Sequence, residues 1–552
     1  MTSAEVSDQD IWPVVIVGGG PVGLALAGDL GWRGIRALLI EQSDGSIYQP
    51  RMDLVGVRTM EFCRRWGLVG AVEASPYPRD YPQDNIYLTS LTGHELGRER
   101  FPGIGAAPPP NQSPQRRERC PQNMFDPILR AFVAAQDNVT LRYRARLLSF
   151  TQDSEQTTAV VENGDSGAHE EIPAHFIVGC DGARSLVRET LGIAMRGNAV
   201  LTYTTNVIFR CPHLVALHDK GRGYRHIFIG PEGTWATIVA INGRDEWRFS
   251  IIGSAEQRDY SKDEIADLIR RAVGRDFEFE ILSVLPWVRR ELVAERYRNG
   301  RGFIAGDAAH VMSPTGGFGM NTGIGDAVDL SWKLTAMIEG WGGAHLLDSY
   351  SAERQPVGLR NVTEASGNLK RMLSVGKNPD LLDDTPLGAK TRERVGREFS
   401  ETMRREWHTL GIHLGYRYEA SPICVPDGSP EPPDDPRDYV PTARPGHRAP
   451  HAWLTDGRST LDLFGRGFAL LGFGATADDA APLLDAARQR NLQIRFVPIA
   501  EPDIAALYAR KFVLVRPDGH VAWRDDAMPS DALAVIDVMR GAALQEPARK
   551  VG

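Results

Sequence analysis

The chain has 552 residues, a formal net charge of −8 and 42% hydrophobic residues. This length exceeds what one hydrophobic core usually organises, so two or three packed domains are expected. The negative charge argues against nucleic-acid binding, and no apolar run reaches the roughly 18 to 20 residues that cross a bilayer. The composition predicts a soluble globular protein with small-molecule partners.

The N-terminus and the cysteines bear on the cellular compartment. Residues 1–10 are polar and acidic, so neither a secretory signal nor a transit peptide is predicted, and a cytoplasmic location is expected. The five cysteines are far apart and form no C-x-x-C pair, which predicts reduced thiols and no metal site. The sequence leaves open whether the chain forms a homo-oligomer.

The first elements form a βαβ unit. Val14–Val17 is a short β-branched strand, Pro21–Trp32 has an Ala/Leu-rich helical pattern, and Ile35–Ile40 is a second buried strand. Between the first strand and the helix lies a G-x-G-x-x-G turn, and an acidic residue ends the second strand: Gly18, Gly20, Gly23 and Glu41.

This arrangement predicts a dinucleotide site. The glycines let the backbone approach a pyrophosphate, and the helix N-terminus supplies oriented N–H groups and partial positive charge. The carboxylate of Glu41 is placed to accept hydrogen bonds from a ribose. The motif alone does not distinguish NAD from FAD.

The next elements are less regular. Val57–Val72 is predicted to be helical, and 75–122 is rich in Pro, Gly and Arg and is expected to form loops and short strands. Gln122–Ala135 is predicted to be a helix, followed by the paired strands Val139–Gln152 and Thr157–Glu162.

The middle of the chain predicts a separate antiparallel sheet. From Thr202 to Ile252, aromatic and aliphatic residues alternate along the strands Tyr203–Phe209, His226–Ile229, Trp235–Ile241 and Trp247–Ile252. The helices Lys262–Val273 and Gly325–Gly340 follow.

The C-terminal region predicts a third domain. Pro422–Pro441 is rich in Pro and Asp and is typical of a linker. Three predicted strands and two helices then alternate: Phe468–Gly472, Ala477–Arg490, Gln493–Pro498, Ile504–Arg510 and Phe512–Arg516. Without a C-x-x-C pair, this domain is expected to be redox-inert.

Two further motifs follow predicted strands. Asp181-Gly182-Ala183-Arg184-Ser185 follows His175–Cys180, and Gly306-Asp307 follows Phe303–Ala305. A run beginning at Pro314 and containing Gly316, Gly317, Gly319 and Asn321 comes next. Each motif alone is weakly specific, because Asp and Gly are ordinary turn residues. Their combination with the first glycine turn is specific.

With these three motifs the chain resembles the FAD-dependent aromatic hydroxylases typified by para-hydroxybenzoate hydroxylase and phenol hydroxylase. The resemblance covers about Pro13 to Pro356, and the C-terminal domain resembles the thioredoxin-like tail of phenol hydroxylase and of polyketide-tailoring hydroxylases. It implies an α/β (α+β overall) architecture: a discontinuous Rossmann-like FAD-binding domain (1–200 and 290–360), an antiparallel-sheet substrate domain (201–289 with parts of 75–120), a helical and linker region (361–430) and a thioredoxin-like domain (431–552).

The resemblance also implies the cofactors: bound FAD, and NADPH or NADH as a transient cosubstrate. In the family the first motif binds the ADP part of FAD, Asp181 lies in a cleft shared with the nicotinamide, and Asp307 binds the ribityl chain. The run after Pro314 lies beside the isoalloxazine ring. The implied cofactor residues are Gly18, Gly20, Pro21, Val22, Gly23, Glu41, Gln42, Arg51, Gln122, Asp181, Gly306, Asp307, Pro314, Gly317, Gly319, Met320 and Asn321.

The implied reaction is hydroxylation of a phenolic or polycyclic aromatic ring. NAD(P)H reduces FAD, dioxygen forms a flavin C4a-hydroperoxide, and the electron-rich ring attacks it. No catalytic side chain is assigned. Candidates for substrate contact are Tyr203, Asn206, His226, Trp235, Asp53 and Pro314, although a strand aromatic is usually a core residue and a lone histidine is usually a satisfied surface or core group.

Three alternatives stay open from the sequence. A Baeyer–Villiger oxygenase uses the same scaffold on a ketone. A flavin-dependent halogenase is disfavoured because the chain lacks the W-x-W-x-I-P signature of that related family. A non-catalytic FAD- or ligand-binding protein is disfavoured by the complete motif set.

Overall fold

The computed structural model describes residues 11–47 and 50–543. The expectation about residues 1–10 therefore lies outside the described residues. The strands are β1 (Trp12–Val17), β2 (Ala37–Glu41), β3 (Leu54–Val55), β4 (Asn85–Leu88), β5 (Glu95–Glu99), β6 (Glu118–Arg119), β7 (Val139–Tyr143), β8 (Ala145–Gln152), β9 (Thr157–Asn163), β10 (His169–Gly179), β11 (Met195–Arg210), β12 (Arg225–Gly230), β13 (Gly233–Ala240), β14 (Glu246–Ser254), β15 (Glu280–Ala294), β16 (Arg298–Asn299), β17 (Gly302–Ile304), β18 (His310–Val311), β19 (Phe468–Phe473), β20 (Ile494–Ile499), β21 (Phe512–Val515) and β22 (Val521–Asp525). The α-helices are α1 (Pro21–Arg33), α2 (Val57–Arg65), α3 (Val69–Glu73), α4 (Gln122–Ala134), α5 (Leu186–Thr190), α6 (Lys262–Val273), α7 (Gly319–Ile338), α8 (Asp348–Met372), α9 (Pro386–Trp407), α10 (Leu410–Leu414), α11 (Ala481–Gln489), α12 (Pro502–Tyr508) and α13 (Ala532–Met539).

The first sheet is built on parallel strands. Its order is β16-β17-β10-β1-β2-β7, and the pairs from β17 to β7 are all parallel. Both faces are covered, which explains why β1 and β2 read as continuous apolar runs. Because parallel strands end at one edge, the three turn motifs of the sequence meet there.

The second sheet lies across that edge. Its order is β18-β15-β11-β14-β13-β12-β4-β5, antiparallel except where β12 pairs with β4. One face packs on α6 through a core containing Phe209, Phe228 and Phe249. Part of the other face packs on α8 and α9 through a core that contains Ile227, Leu369 and Phe399, and the rest of it is open toward the first sheet.

The third sheet has the order β20-β19-β21-β22, with β19 and β20 parallel and the rest antiparallel. Together with α11, α12 and α13 this gives a βαβαββα arrangement, as in thioredoxin-like domains. The mixed α/β fold class expected from the sequence is confirmed.

Several predicted elements differ from the observed ones. The helix predicted over Val57–Val72 breaks at Gly67, whose φ is +76°. The strand predicted over Val139–Gln152 breaks at Arg144, whose φ is +51°, so β7 joins β2 whereas β8 pairs with β9. The helix predicted from Gly325 begins six residues earlier, at Gly319. The beginning of this helix packs closely against the Gly306 turn, since a Cβ on Gly323 would come 2.9 Å from the Gly306 Cα.

Several elements escaped the sequence analysis, among them β15, β22 and α13. Strand β15 contains Pro286, and a proline usually argues against a central strand. Here only two residues of β15 pair with β18, so Pro286 lies where the outer side of β15 has no partner strand. The last strand and helix, β22 and α13, complete the third domain.

The predicted linker Pro422–Pro441 is irregular but is not a free spacer. Ile423 belongs to the core under the third sheet, the Val425 N–H donates to the Ala522 carbonyl at 2.8 Å, and Asp427 pairs with Arg524 at 2.6 Å. The segment Pro422–Pro441 therefore packs as part of the third domain.

Buried charges join the third domain to the first. Arg516 lies 2.6 Å from Glu353 on α8 and 3.0 Å from Asp329 on α7, and all three side chains are buried. Breaking such a pair leaves an uncompensated buried charge, which is strongly destabilising. The third domain is thus fixed to the helix that begins at the edge of the first sheet.

Within the described residues, every α-helix is too short or too polar to traverse a lipid bilayer. All five cysteines fall in this part of the chain, and none is disulfide-bonded.

Candidate functional site

A cavity of about 600 Å³ lies between the carboxyl edge of the first sheet and the open face of the second. At one end it is bordered by the glycine turn after β1, and at the other by side chains of β11 to β15. A single space therefore connects the predicted dinucleotide site with the predicted substrate sheet.

The glycine turn is held by strand ends. The Gly18 N–H donates to the Ile40 carbonyl at 2.8 Å, and Gly18 has a φ of +108°. A Cβ on Gly23 would come 2.0 Å from the Gly18 carbonyl oxygen, so only glycine permits this approach of α1. In contrast, a Cβ on Gly20 would meet nothing within 4 Å, and Gly20 borders the cavity. The turn thus presents open backbone at the N-terminus of α1.

Glu41 is oriented by backbone donors. Its two carboxylate oxygens accept hydrogen bonds from the Gly19 N–H at 2.7 Å and the Ser43 N–H at 2.8 Å. These bonds fix the carboxylate between the turn and the cavity. Pro21, Val22 and Gln42 also line this end, whereas Gly23 supports the turn from behind.

The two aspartate turns meet beside it. Asp181 Oδ2 accepts from the Val187 N–H at 3.2 Å, and burial raises the pKa of Asp181. The Gly306 N–H donates to Asp326 at 3.1 Å, which fixes the next turn and leaves the Asp307 side chain open to the cavity. Enclosure by protein raises the pKa of Asp307. Both carboxyls line the cavity, whereas Gly306 lies behind Asp307.

The glycine-rich run leads into α7. Pro314, Gly317, Gly319 and Met320 line the cavity, and no side chain caps the first N–H groups of α7. Such a helix end favours negative charge. Asn321 does not line the cavity: its side-chain amide donates to Leu54 and Gly317 and its oxygen accepts from Gly56 and Thr59. It holds the loop before α2 against this run.

Arg51 and Gln122 border the cavity from the opposite wall. The Gln122 side-chain oxygen accepts from the Arg51 N–H at 3.1 Å, and its amide donates to Asp126 Oδ2 at 3.1 Å. Burial raises the pKa of Asp126 to about 7, so its carboxyl is a weak acid close to neutrality.

Of the substrate-contact candidates, Asp53, Asn206 and Pro314 line the cavity. Asp53 accepts from Arg119 at 2.7 Å and from the Tyr224 hydroxyl at 2.6 Å. Burial opposes its ionisation, but Arg119 and Arg248 outweigh this and lower the pKa of Asp53. Asn206 accepts from the Ser250 hydroxyl at 2.7 Å on the floor of the cavity.

The other three candidates lie elsewhere. His226 faces away from the cavity, its neighbour Arg225 takes the inward position, and burial lowers the pKa of His226 to about 3. Trp235 packs between Phe228 and Phe249 in the core. Tyr203 borders a smaller pocket beside Trp287. None of these three residues lines the cavity in the described structure, because the alternation predicted from the sequence does not tell which of the two faces points to the cavity.

The sequence analysis missed a set of polar side chains that line the substrate end: Arg117, Arg119, Tyr224, Arg225, Arg248, Arg289 and Glu406. The positions of Arg248 on β14 and Arg225 on β12 follow from strand register, which no local signal gives. Glu406 comes from the far end of α9, yet its carboxylate lies 2.8 Å from Arg225.

The residues present fit a dinucleotide cofactor. Gly20 and Gly182 both border the cavity with no atom within 4 Å of an added Cβ, so backbone is exposed where phosphates would lie. The open Asp307 carboxylate and the uncapped end of α7 provide the polar groups that a flavin's ribityl chain and ring require.

Comparisons with known proteins agree with this geometry. The sequence profile described as "FAD binding domain" matches residues 12–365, and the profile described as "Aromatic-ring hydroxylase, C-terminal" matches residues 442–543. A putative polyketide hydroxylase from Streptomyces halstedii is 35% identical over 544 residues, covering 93% of this chain and 93% of that protein.

Two solved structures extend the comparison. RebC, soaked with chromopyrrolic acid and carrying bound 7-carboxy-K252c, has a TM-score of 0.89 and 39% identity, covering 96% of this chain and 99% of RebC. Aklavinone-11 hydroxylase, in a ternary complex with FAD and aklavinone, has a TM-score of 0.81 and 28% identity, covering 98% of this chain and all (100%) of that one.

Proposed function

The chain belongs to the FAD-dependent aromatic-ring hydroxylases and is a flavoprotein monooxygenase, and we propose that it hydroxylates a polycyclic phenol. One observation carries the proposal: the glycine turn and the open face of the second sheet border the same cavity. NADPH or NADH is the reductant of this family, and dioxygen is the second co-substrate in the proposal.

The cofactor end of the cavity would hold FAD. In the proposal the N-terminus of α1 and Gly20 bind the pyrophosphate, Glu41 the ribose, and Asp307 the ribityl chain. The uncapped first N–H groups of α7 would stabilise negative charge on the flavin ring. Bound FAD supplies the two-electron chemistry with dioxygen that side chains lack.

The substrate end orients the ring and its hydroxyl group. Asn206 and Ser250 provide a polar floor, while Trp287 and Trp407 supply apolar walls. A phenol reacts faster as its phenolate, and the arginines near Asp53 favour that ionised form. Asp53 keeps Arg119 and Tyr224 in fixed positions and is too weak a base to take the phenol proton itself.

The relatives guide the choice of substrate class. Aklavinone, the ligand of the aklavinone-11 hydroxylase complex, and 7-carboxy-K252c, the ligand of the RebC complex, are both polycyclic. We extend this to the present chain because the indole rings of Trp287 and Trp407 border the substrate end of its cavity. We also propose that the FAD-binding domain is discontinuous in the sequence (1–200 and 290–360), because β17 joins the parallel sheet beside β10.

The test is a substrate screen on the purified FAD-loaded protein. NADPH and NADH oxidation is followed with mono-, bi- and polycyclic phenols, with hydrogen peroxide and organic products measured in the same reactions. The proposal expects the greatest stimulation and the least peroxide with a polycyclic phenol. Equal oxidation with and without every phenol contradicts it, and a lactone product would indicate Baeyer–Villiger chemistry instead.

A further inference from the structure

A second cavity, of about 580 Å³, lies between helices α1 and α2 and the third domain. Trp32, Phe62 and Arg65 border it on the helix side, and residues 461–469 and 493–495 border it on the side of the third domain. None of its lining residues also lines the cavity that runs from the glycine turn to the second sheet. It is therefore a separate space.

The groups proposed to bind the FAD phosphates are remote from this second cavity. Pro21 begins α1 and Trp32 lies near its end, so at about 1.5 Å per residue the two are roughly 16 Å apart along the helix axis. Phosphates at the start of α1 therefore leave the charges around the second cavity uncompensated.

More cations than anions border the second cavity. Among the described residues that line it, five arginines face two carboxylates: Arg58, Arg64, Arg65, Arg466 and Arg495 against Glu61 and Asp462. Both carboxylates are already paired. Asp462 accepts two 2.7 Å hydrogen bonds from Arg64. Glu61 accepts from Arg58 at 2.7 Å and from Arg448 at 3.0 Å. Arg65, Arg466 and Arg495 are left without an ion pair in the part of the chain that the structure describes.

Arg65, at the end of α2, is the most enclosed of these three. Its guanidinium group makes no hydrogen bond with the described residues, and its Nη1 is shielded from solvent. A Cβ on Gly519, in the turn between β21 and β22, would lie 3.7 Å from the Arg65 Nη2, so the guanidinium group reaches across to the third domain. Burial lowers the pKa of Arg65 to about 10, and Arg33 and Arg58 lower it further.

Two nearby carboxylates do not neutralise Arg65. Asp29 lies 2.8 Å from Arg33, Asp518 lies 2.8 Å from Arg516, and neither forms an ion pair with Arg65. They raise the pKa of Arg65 without offsetting the effect of its burial. A buried cation is unfavourable until an anion pairs with it, so this arrangement indicates an anionic ligand.

Arg466 and Arg495 place two further positive charges at the mouth of the cavity, where both are exposed. The Arg466 guanidinium lies over the Trp32 ring, 5.2 Å from its centroid, and Arg495 donates to the Leu463 carbonyl. These contacts hold the two side chains beside the cavity without neutralising them. Guanidinium groups from three separate segments of the chain thus border one space.

We propose that the second cavity binds a phosphate group, either inorganic phosphate or the phosphate of a small organic ester, through Arg65, with Arg466 and Arg495 at its mouth. Phosphate suits guanidinium groups on different segments, because its oxygens accept charge-assisted hydrogen bonds in several directions. A bound phosphate would neutralise Arg65 and link α2 to the third domain. The inference goes beyond the proposed function and does not depend on it.

The test is isothermal titration calorimetry of the FAD-loaded protein in a phosphate-free buffer at constant ionic strength. The probes are inorganic phosphate, AMP and adenosine. The wild type should bind phosphate or AMP with a Kd of about 1 mM or lower, and adenosine should not bind at this level. Tighter binding of AMP than of phosphate assigns the site to a phosphate ester, whereas equal or weaker binding of AMP assigns it to inorganic phosphate.

Arg65→Gln should weaken binding about tenfold or more, because it removes a charge-assisted hydrogen bond. Arg495→Gln should weaken it several-fold. Arg488→Gln is the matched control, since Arg488 also lies in the third domain but is 72% exposed, pairs with Asp485 and does not line the cavity. Phosphate should also raise the temperature of thermal unfolding of the wild type, but not that of Arg65→Gln, because a ligand that binds the folded state stabilises it.

Failure of the wild type to bind either phosphate or AMP overturns the inference, as does adenosine binding as tight as that of AMP. A Kd that Arg65→Gln leaves unchanged also overturns it. Arg495 is exposed, so Arg495→Gln keeps the test decisive if Arg65→Gln does not fold: an unchanged Kd in Arg495→Gln then contradicts the site.

Discussion

The Tyr224 hydroxyl donates a 2.6 Å hydrogen bond to Asp53 Oδ2. Asp53 lies in the loop between β2 and β3, whereas Tyr224 immediately precedes β12 of the second sheet. Since Arg119 binds the other oxygen of Asp53 at 2.7 Å, one ionised carboxylate joins the cofactor wall to the substrate sheet. We expect this junction to fix the position of a bound aromatic ring relative to the cofactor.

Asp53→Asn should uncouple reduction from hydroxylation. The substitution removes the partner charge of buried Arg119 and weakens the hold on Tyr224, so the substrate is placed less accurately. We expect the ratio of hydroxylated product to NAD(P)H consumed to fall by about tenfold, with FAD content unchanged. Asp80→Asn is the control, because that side chain is 74% exposed and, among the described residues, its one salt bridge is with Arg222. A wild-type ratio in Asp53→Asn would show that the junction does not position substrate.

Two glycines of the first turn should respond differently to alanine. In Gly23→Ala the new Cβ would come 2.0 Å from the Gly18 carbonyl, so the fold itself should be destabilised. In Gly20→Ala the Cβ would enter open space at the cavity, so the fold should persist while FAD affinity falls. Thermal unfolding of the apo proteins and FAD titration separate the two effects. Undiminished FAD binding in Gly20→Ala would place the phosphates elsewhere.

Asp307→Ala should weaken FAD retention with little change in the fold, because the carboxylate faces the cavity and forms no side-chain hydrogen bond within the described protein. Loss of a hydrogen bond from a charged group costs about 1.5–3 kcal/mol, which corresponds to a roughly 10- to 150-fold weaker FAD complex. The flavin-to-protein ratio after gel filtration measures it, with exposed Asp137→Ala as the control. A full flavin complement in Asp307→Ala would contradict a ribityl contact.

Stability should depend on pH through Asp126. Its folded pKa of about 7 lies above the value of an unperturbed aspartate, because burial penalises the charged form. The contribution of Asp126 to the free energy of unfolding is therefore fully present below about pH 4. It falls by about 1.4 kcal/mol per pH unit as the pH rises toward 7. In Asp126→Asn the side-chain oxygen can still accept the hydrogen bond from Gln122, but the side chain cannot ionise. Urea unfolding at pH 4.5 and pH 7 should show Asp126→Asn gaining stability over the wild type at the higher pH; parallel curves would contradict the assignment.

Local chemistry explains which parts of the site were predictable from the sequence. The turns at Gly18, Asp181 and Asp307 each follow a buried strand, and parallel strands end at one edge, so their convergence could be foreseen. The inward face of the second sheet could not, because a shift of one residue exchanges the two faces. That is why His226 was proposed whereas Arg225 lines the cavity, and why Arg289 beyond Pro286 was missed.

The most direct test of the account is a reaction under ¹⁸O₂ with the FAD-loaded protein, NADPH and the polycyclic phenol that most stimulates its oxidation. The product is analysed by mass spectrometry, and its structure is determined by NMR. We predict one ¹⁸O atom in a new hydroxyl group on an aromatic ring, with no label when only the water is enriched. A product without ¹⁸O, or reduced cofactor consumed only to form hydrogen peroxide with every phenol tested, would contradict the assignment of ring hydroxylation.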